Sequence, residues 1–169
     1  MTESYRKIAY SAVLVGVGVA LGYALALVPN VELVSFVCVF SGALLGKFWG
    51  GVDGALIFGL YSLLAPFGMP PVPLFITQII CGACMGISGA VVRKKLTSPL
   101  YAALTGILLT LFYDIATNAA GYFSFPTAQT FFVYLLGGIT FAAVHIISNG
   151  VLFAVLFPVV LPRLTRGRG

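Results

Sequence analysis

Apolar residues run along this chain in long blocks, each closed by a short stretch containing proline, glycine or charge. A straight transmembrane helix needs about 20 predominantly apolar residues. The first block extends from Tyr5 to Val28 and stops at Pro29-Asn30. The second covers Val31–Gly46, and Lys47-Phe48-Trp49-Gly50-Gly51 after it reads as a turn with an interfacial aromatic and a cation. The third covers Val52–Ala65. Pro66-Phe67-Gly68-Met69-Pro70-Pro71 then ends helical structure, because proline removes a donor and clashes with the preceding turn. The fourth runs from Pro73 to Val92 and ends at Arg93-Lys94-Lys95; the fifth spans Ser98–Ala120 and is broken by Gly121-Tyr122-Phe123-Ser124-Phe125-Pro126. The sixth begins between Ala128 and Thr130 and continues to Leu161. It is longer than one span, with Gly137-Gly138 inside it, so it either kinks there or starts above the membrane.

The pattern predicts an all-α fold: one domain over residues 1–169, an integral membrane bundle of six transmembrane helices. The second and third blocks are short for straight spans, leaving two short spans or a re-entrant pair as readings. Ala24-Leu25-Ala26 resembles a signal-cleavage site, but the apolar run before it exceeds the roughly 7–15 residues of a signal peptide, so the first helix is expected to be retained.

Composition agrees with lipid as the main solvent: 60% of residues are hydrophobic and 8% charged. The net charge of +5 raises the possibility of nucleic acid, but the cations form short clusters between apolar blocks and no basic face, so no nucleic-acid partner is expected. Their placement sets an orientation. With the amino terminus inside and six crossings, Arg6, Lys7, Lys47, Arg93, Lys94, Lys95, Arg163, Arg166 and Arg168 all fall on the inner side, and these are all 9 Lys and Arg residues. The outer loops carry none, as the positive-inside rule requires. Both termini are therefore expected in the cytoplasm, and two separate short spans fit better than a merged pair.

Candidate chemistry lies in the polar residues of the apolar blocks, which are costly in lipid and tend to mark sites or pathways. Asp114 and Asn118 are spaced i, i+4 beside Tyr113 and Thr117; His145 and Asn149 share that spacing beside Ser148. Counted at 1.5 Å per residue, Asp114 and Asn118 lie on the order of 20–27 Å above the inner end of their helix. His145 and Asn149, counted back from Arg163, reach similar depth, and Gln78 lies just below the outer end of the fourth helix. Glu32 has two readings, a cap on the second helix or a ligand contact, and Asp53 reads as a cap on the third. Phe75, Tyr113, Tyr122, Phe123 and Phe125 offer faces for a flat ring.

Ala12, Gly16, Ala20 and Ala24 form a ladder of small residues on one face of the first helix, with Gly18, Gly22 and Ala26 in a second stripe. Small-xxx-small faces let helices approach closely in lipid, either inside the bundle or against a separate subunit. Cys81-Gly-Ala-Cys84 has redox spacing but no basic neighbour to activate a thiol. The chain has one histidine and no zinc-protease, nucleophile-elbow or phosphate-cradling motif, so no metal, no cofactor and no enzyme activity are expected. Any ATP-driven transport would need a partner.

Taken together, the chain resembles the substrate-binding S components of energy-coupling factor (ECF) vitamin transporters. The resemblance rests on size, six helices, basic inner loops, the small-residue ladder, Pro29-Asn30-Val31-Glu32-Leu33-Val34, the segment from Tyr113 to Asn118, and His145-x-x-Ser148-Asn149. It implies a binder of a vitamin or vitamin precursor in a prokaryotic cytoplasmic membrane, working with a transmembrane T protein and two cytoplasmic ATPases. It also implies docking of the T protein on Ala12, Gly16, Ala20 and Ala24. The ligand site implied contains Asn30, Glu32, Phe75, Gln78, Tyr113, Asp114, Thr117, Asn118, His145 and Asn149. A cobalamin-precursor nucleoside of the α-ribazole type heads the candidate ligands, with riboflavin, thiamine, pantothenate and a queuosine precursor beside it. The other readings are a membrane thiol-redox protein using Cys81 and Cys84, and a stand-alone secondary carrier or channel.

Overall fold

A computed structural model describes residues 3–65 and 68–165. Among these, the chain forms seven helices and no strand: α1 (Glu3–Ala24), α2 (Val34–Leu45), α3 (Lys47–Leu63), α4 (Val72–Val92), α5 (Pro99–Ser124), α6 (Phe131–Gly137) and α7 (Ile139–Thr165). Pro66 and Phe67, expected in the second outer loop, and Arg166 and Arg168, lie outside the described residues.

Four helices, α1, α4, α5 and α7, are long and apolar enough to cross a membrane; α2 is a shorter apolar helix. Exposed aliphatic side chains line the outside of the bundle, among them Val13 and Val17 on α1, Leu56 and Leu60 on α3, and Ile76, Ile80 and Ile87 on α4. The same holds for Leu104 and Leu108 on α5 and for Ile147, Val151 and Val155 on α7. Apolar surface on this scale is stable in lipid and not in water. The protein is thus a multi-pass membrane helical bundle.

α2 is the core. Eleven of its 12 residues are buried, and Phe36 and Phe40 pack against Phe153 and Phe157 of α7. α3 and α4 meet through glycine. A Cβ on Gly54 would stand 2.0 Å from the Gly82 carbonyl oxygen, and one on Gly86 would stand 1.8 Å from the Gly50 carbonyl oxygen. Gly50-xxx-Gly54 and Gly82-xxx-Gly86 are therefore facing small-residue motifs whose backbones touch.

Several expected boundaries move. α1 ends at Ala24 and α2 begins at Val34, so residues 25–33 form a connection where helix was expected up to Val28 and again from Val31. Lys47–Gly51 is the first part of α3, not a turn. Gly46, at φ +96°, makes the reversal alone, in a region few side chains tolerate. α5 continues through Gly121 to Ser124, and the expected sixth helix is two, α6 and α7, separated at Gly138. Asp53 is not a cap. It is fully buried within α3 and accepts hydrogen bonds from Ser11 of α1 and Ser41 of α2, joining three helices.

Candidate functional site

The connection from α1 to α2 builds one side of a cavity of about 350 Å³. Asn30, at φ +58°, takes the left-handed turn that asparagine tolerates, and its carbonyl oxygen accepts a 2.8 Å hydrogen bond from Ser148 Oγ of α7. Two residues later, Glu32 Oε2 accepts the backbone N–H of Ser35 at 2.8 Å, satisfying a free donor at the start of α2. The capping reading of Glu32 holds, and its second oxygen is turned toward α7. While Oε2 caps the helix, Oε1 accepts from Asn149 Nδ2 at 2.8 Å and lies 3.5 Å from His145 Nε2.

α5 and α7 supply the rest of the polar wall. His145 Nδ1 lies 2.8 Å from Asp114 Oδ1, so the imidazole stands between two carboxylates. Asn149 is fully buried behind it and donates also to Thr110 Oγ1 at 2.9 Å. Thr110, Asn149, Glu32, His145 and Asp114 form one connected chain of groups. Two oxygens are left over: Asp114 Oδ2 and Asn149 Oδ1 are buried without a hydrogen-bond partner. Phe58 and Tyr61 of α3 and Tyr113 of α5 give the cavity its aromatic surface.

The expected site residues divide. Asn30, Glu32, Tyr113, Asp114, Thr117 and His145 line this cavity, and Asn149 supports it from behind. Gln78 does not line it. Its Oε1 accepts from Ser62 Oγ at 2.8 Å, its Nε2 donates to the Tyr113 hydroxyl at 3.4 Å, and it borders a separate hollow beside Tyr23 and Pro70. Asn118 turns back to its own helix, donating to the Asp114 carbonyl oxygen at 2.7 Å. Phe75 is half-buried on α4 and lines neither cavity. Tyr122 makes edge-to-face contacts with Phe123, Phe131 and Tyr134 near the end of α5, apart from the wall. Phe125 is exposed there too. Phe58, Tyr61 and Thr110 were not anticipated. Thr110 had a signal, since it falls four residues before Asp114 on the same helix face.

The helix-1 stripes separate. Ala12, Gly16, Ala20 and Ala24 are exposed, and a Cβ on Gly16 would meet nothing within 4 Å. Gly18 and Gly22 point inward, against Ile57 and against Tyr61 and Val34. Cys81 is buried and Cys84 half-buried on α4, both as free thiols.

At the other end of the bundle, Arg6, Lys7 and Arg93 line one hollow with Gly46 of the α2–α3 reversal. The cavity and the cation clusters therefore occupy opposite ends.

A family of five-transmembrane domains, described as the 5TMR of 5TMR-LYT, has a model that matches residues 27–120. That interval holds most of the connection, α2 to α4 and most of α5, with Asn30, Glu32, Tyr113 and Asp114; His145 and Asn149 lie beyond it. Comparison with curated proteins and with solved structures found no match. Matched over more than half of its length, the chain belongs to the 5TMR of 5TMR-LYT family.

Proposed function

We propose that this protein is a membrane-embedded substrate-binding subunit of an ATP-driven importer of the energy-coupling factor type. It takes a vitamin or vitamin precursor from the outside and delivers it inward with a transmembrane T protein and two ATPases. The observation that carries the reading is the cavity, a polar and aromatic hollow of about 350 Å³ at the bundle end away from the cation clusters. Concave sites with a few convergent polar groups and aromatic walls suit small flat ligands.

Orientation belongs to the proposal. Six crossings with both termini in the cytoplasm would put every Lys and Arg on the inner side and the cavity mouth outside. The outward stripe of Ala12, Gly16, Ala20 and Ala24 suits close approach by a helix of the T protein. The polar residues that were expected to converge from three helices support the site through two, α5 and α7, together with Glu32 from the connection.

The test is native mass spectrometry of the detergent-purified protein, with pull-down from its own membranes. The reading expects a retained small molecule and copurifying ATPases. Absence of both would remove it.

A further inference from the structure

The wall of the cavity is unbalanced in charge. Its ionisable side chains of ordinary range are Glu32, Asp114 and His145, and no lysine or arginine lines it. With the imidazole carrying its second proton, two carboxylates still outnumber one cation. With the imidazole neutral, the imbalance doubles. The described lysines and arginines cluster toward the other end of the bundle, where Arg6, Lys7 and Arg93 share a hollow.

Asp114 and Thr117 add acceptors to the same wall. Asp114 is nine-tenths buried, lines the cavity, and keeps Oδ2 without a partner. Thr117 commits its hydroxyl proton to the Tyr113 carbonyl oxygen, leaving its oxygen free to accept. Tyr113, Tyr61 and Phe58 add ring faces that attract cations.

We infer that the cavity selects a flat nitrogenous ligand bearing a positive charge or several N–H donors, such as an amidine-, ammonium- or aminopyrimidine-type group, and rejects carboxylates and phosphates. This deepens the transport reading and rests on its site. It removes pantothenate, a carboxylate, from the candidates, and favours bases over neutral flavins.

The test uses benzamidinium and benzoate, planar probes of equal size and opposite charge, against the purified full-length chain in detergent, read by thermal shift and calorimetric titration. Benzamidinium should bind at least about tenfold more tightly than benzoate, since like charges facing each other disfavour the anion. Asp114→Asn and Glu32→Gln should each narrow the gap. Equal binding, tighter benzoate, or no shift with either probe overturns the inference, and the comparison on the unmodified chain needs neither variant to fold. The two readings fail separately. Copurification with ATPases alongside a preference for benzoate leaves the transport reading and removes this one. Cation preference without ATPases does the reverse.

Discussion

Gly54→Ala isolates the packing that holds α3 in place. The added Cβ would stand 2.0 Å from the Gly82 carbonyl oxygen, whereas ordinary contact begins at 3.4 Å. The two helices must therefore part by about 1.4 Å, because the atom in the way is backbone and cannot rotate aside. A gap of that size forfeits much of the dispersion energy along a contact face. Overpacking costs about 1–3 kcal/mol, and this rigid contact belongs at the upper end. Alanine returns up to ~1 kcal/mol through helix propensity. The net loss is about 2 kcal/mol, or about 4–8 °C in melting temperature for a domain of this size. Gly59→Ala on the same helix is the control. Its Cβ would meet Ile79 at 3.6 Å, an ordinary contact, so its melting temperature should hold or rise. Phe58 lies one turn beyond Gly54 and lines the cavity, so ligand retention should weaken in Gly54→Ala alone. The assay is thermal unfolding of both variants in one detergent. Should Gly54→Ala melt with or above the unmodified chain, the glycine faces do not touch and the α3–α4 packing described is wrong.

Asn149→Ala removes a hydrogen bond to Glu32 from behind the cavity, worth about 1.5–3 kcal/mol, and should lower the melting temperature by about 3–12 °C for a chain of this size; thermal unfolding measures it. Glu32→Gln replaces the carboxylate that receives Ser35 and Asn149 and should lower the melting temperature; an unchanged value would mean that the connection is not anchored through Glu32. Ala20→Leu, on the outward stripe, should leave ligand binding intact and abolish uptake if a partner helix docks there; a variant with full uptake in a cell assay would rule that docking surface out.

Asp114, His145, Asn149 and Glu32 were legible because polar side chains in apolar blocks are costly, and i, i+4 spacing puts each pair on one face. The same rule picked out Gln78 and Asn118, yet neither joins the side-chain network that runs from Thr110 to Asp114. An amide side chain is satisfied cheaply by a nearby hydroxyl or by its own helix backbone, as Ser62 and the Asp114 carbonyl show. A carboxylate has fewer local donors to choose from. The end of α1 was hidden because Leu25-Ala26-Leu27-Val28 is as apolar as the helix before it, and hydrophobicity does not separate helix from an apolar connection. Lys47-Phe48-Trp49-Gly50-Gly51 read as a turn with an interfacial aromatic and a cation, but the segment is helical and Gly50 is needed for contact with Gly42 and Gly86. Asp53 read as a cap because it follows the expected turn. Once α3 begins at Lys47, the carboxylate falls inside the helix, facing Ser11 and Ser41.

The brevity of α2 explains why there is a cavity at all. Twelve residues rise about 18 Å, against a hydrocarbon layer of about 30 Å, while α1 and α4 are long enough to cross it. α2 leaves Gly46 beside the cation clusters and runs out of helix well before its neighbours do. The space above its N-terminus must then be closed by something other than helix. Backbone at that level is tolerated where it lines a polar hollow rather than lipid. Residues 25–33 fill this role, turning at Asn30 and tied to α7 through Ser148. The same shortening exposes the free N–H groups at the start of α2, which favour a carboxylate. Glu32 supplies it, and with its remaining oxygen it holds Asn149 and faces His145. Lengthening α2 would therefore do more than fill space. It would remove the helix end that positions Glu32, and with it the anchor that joins the connection to α5 and α7.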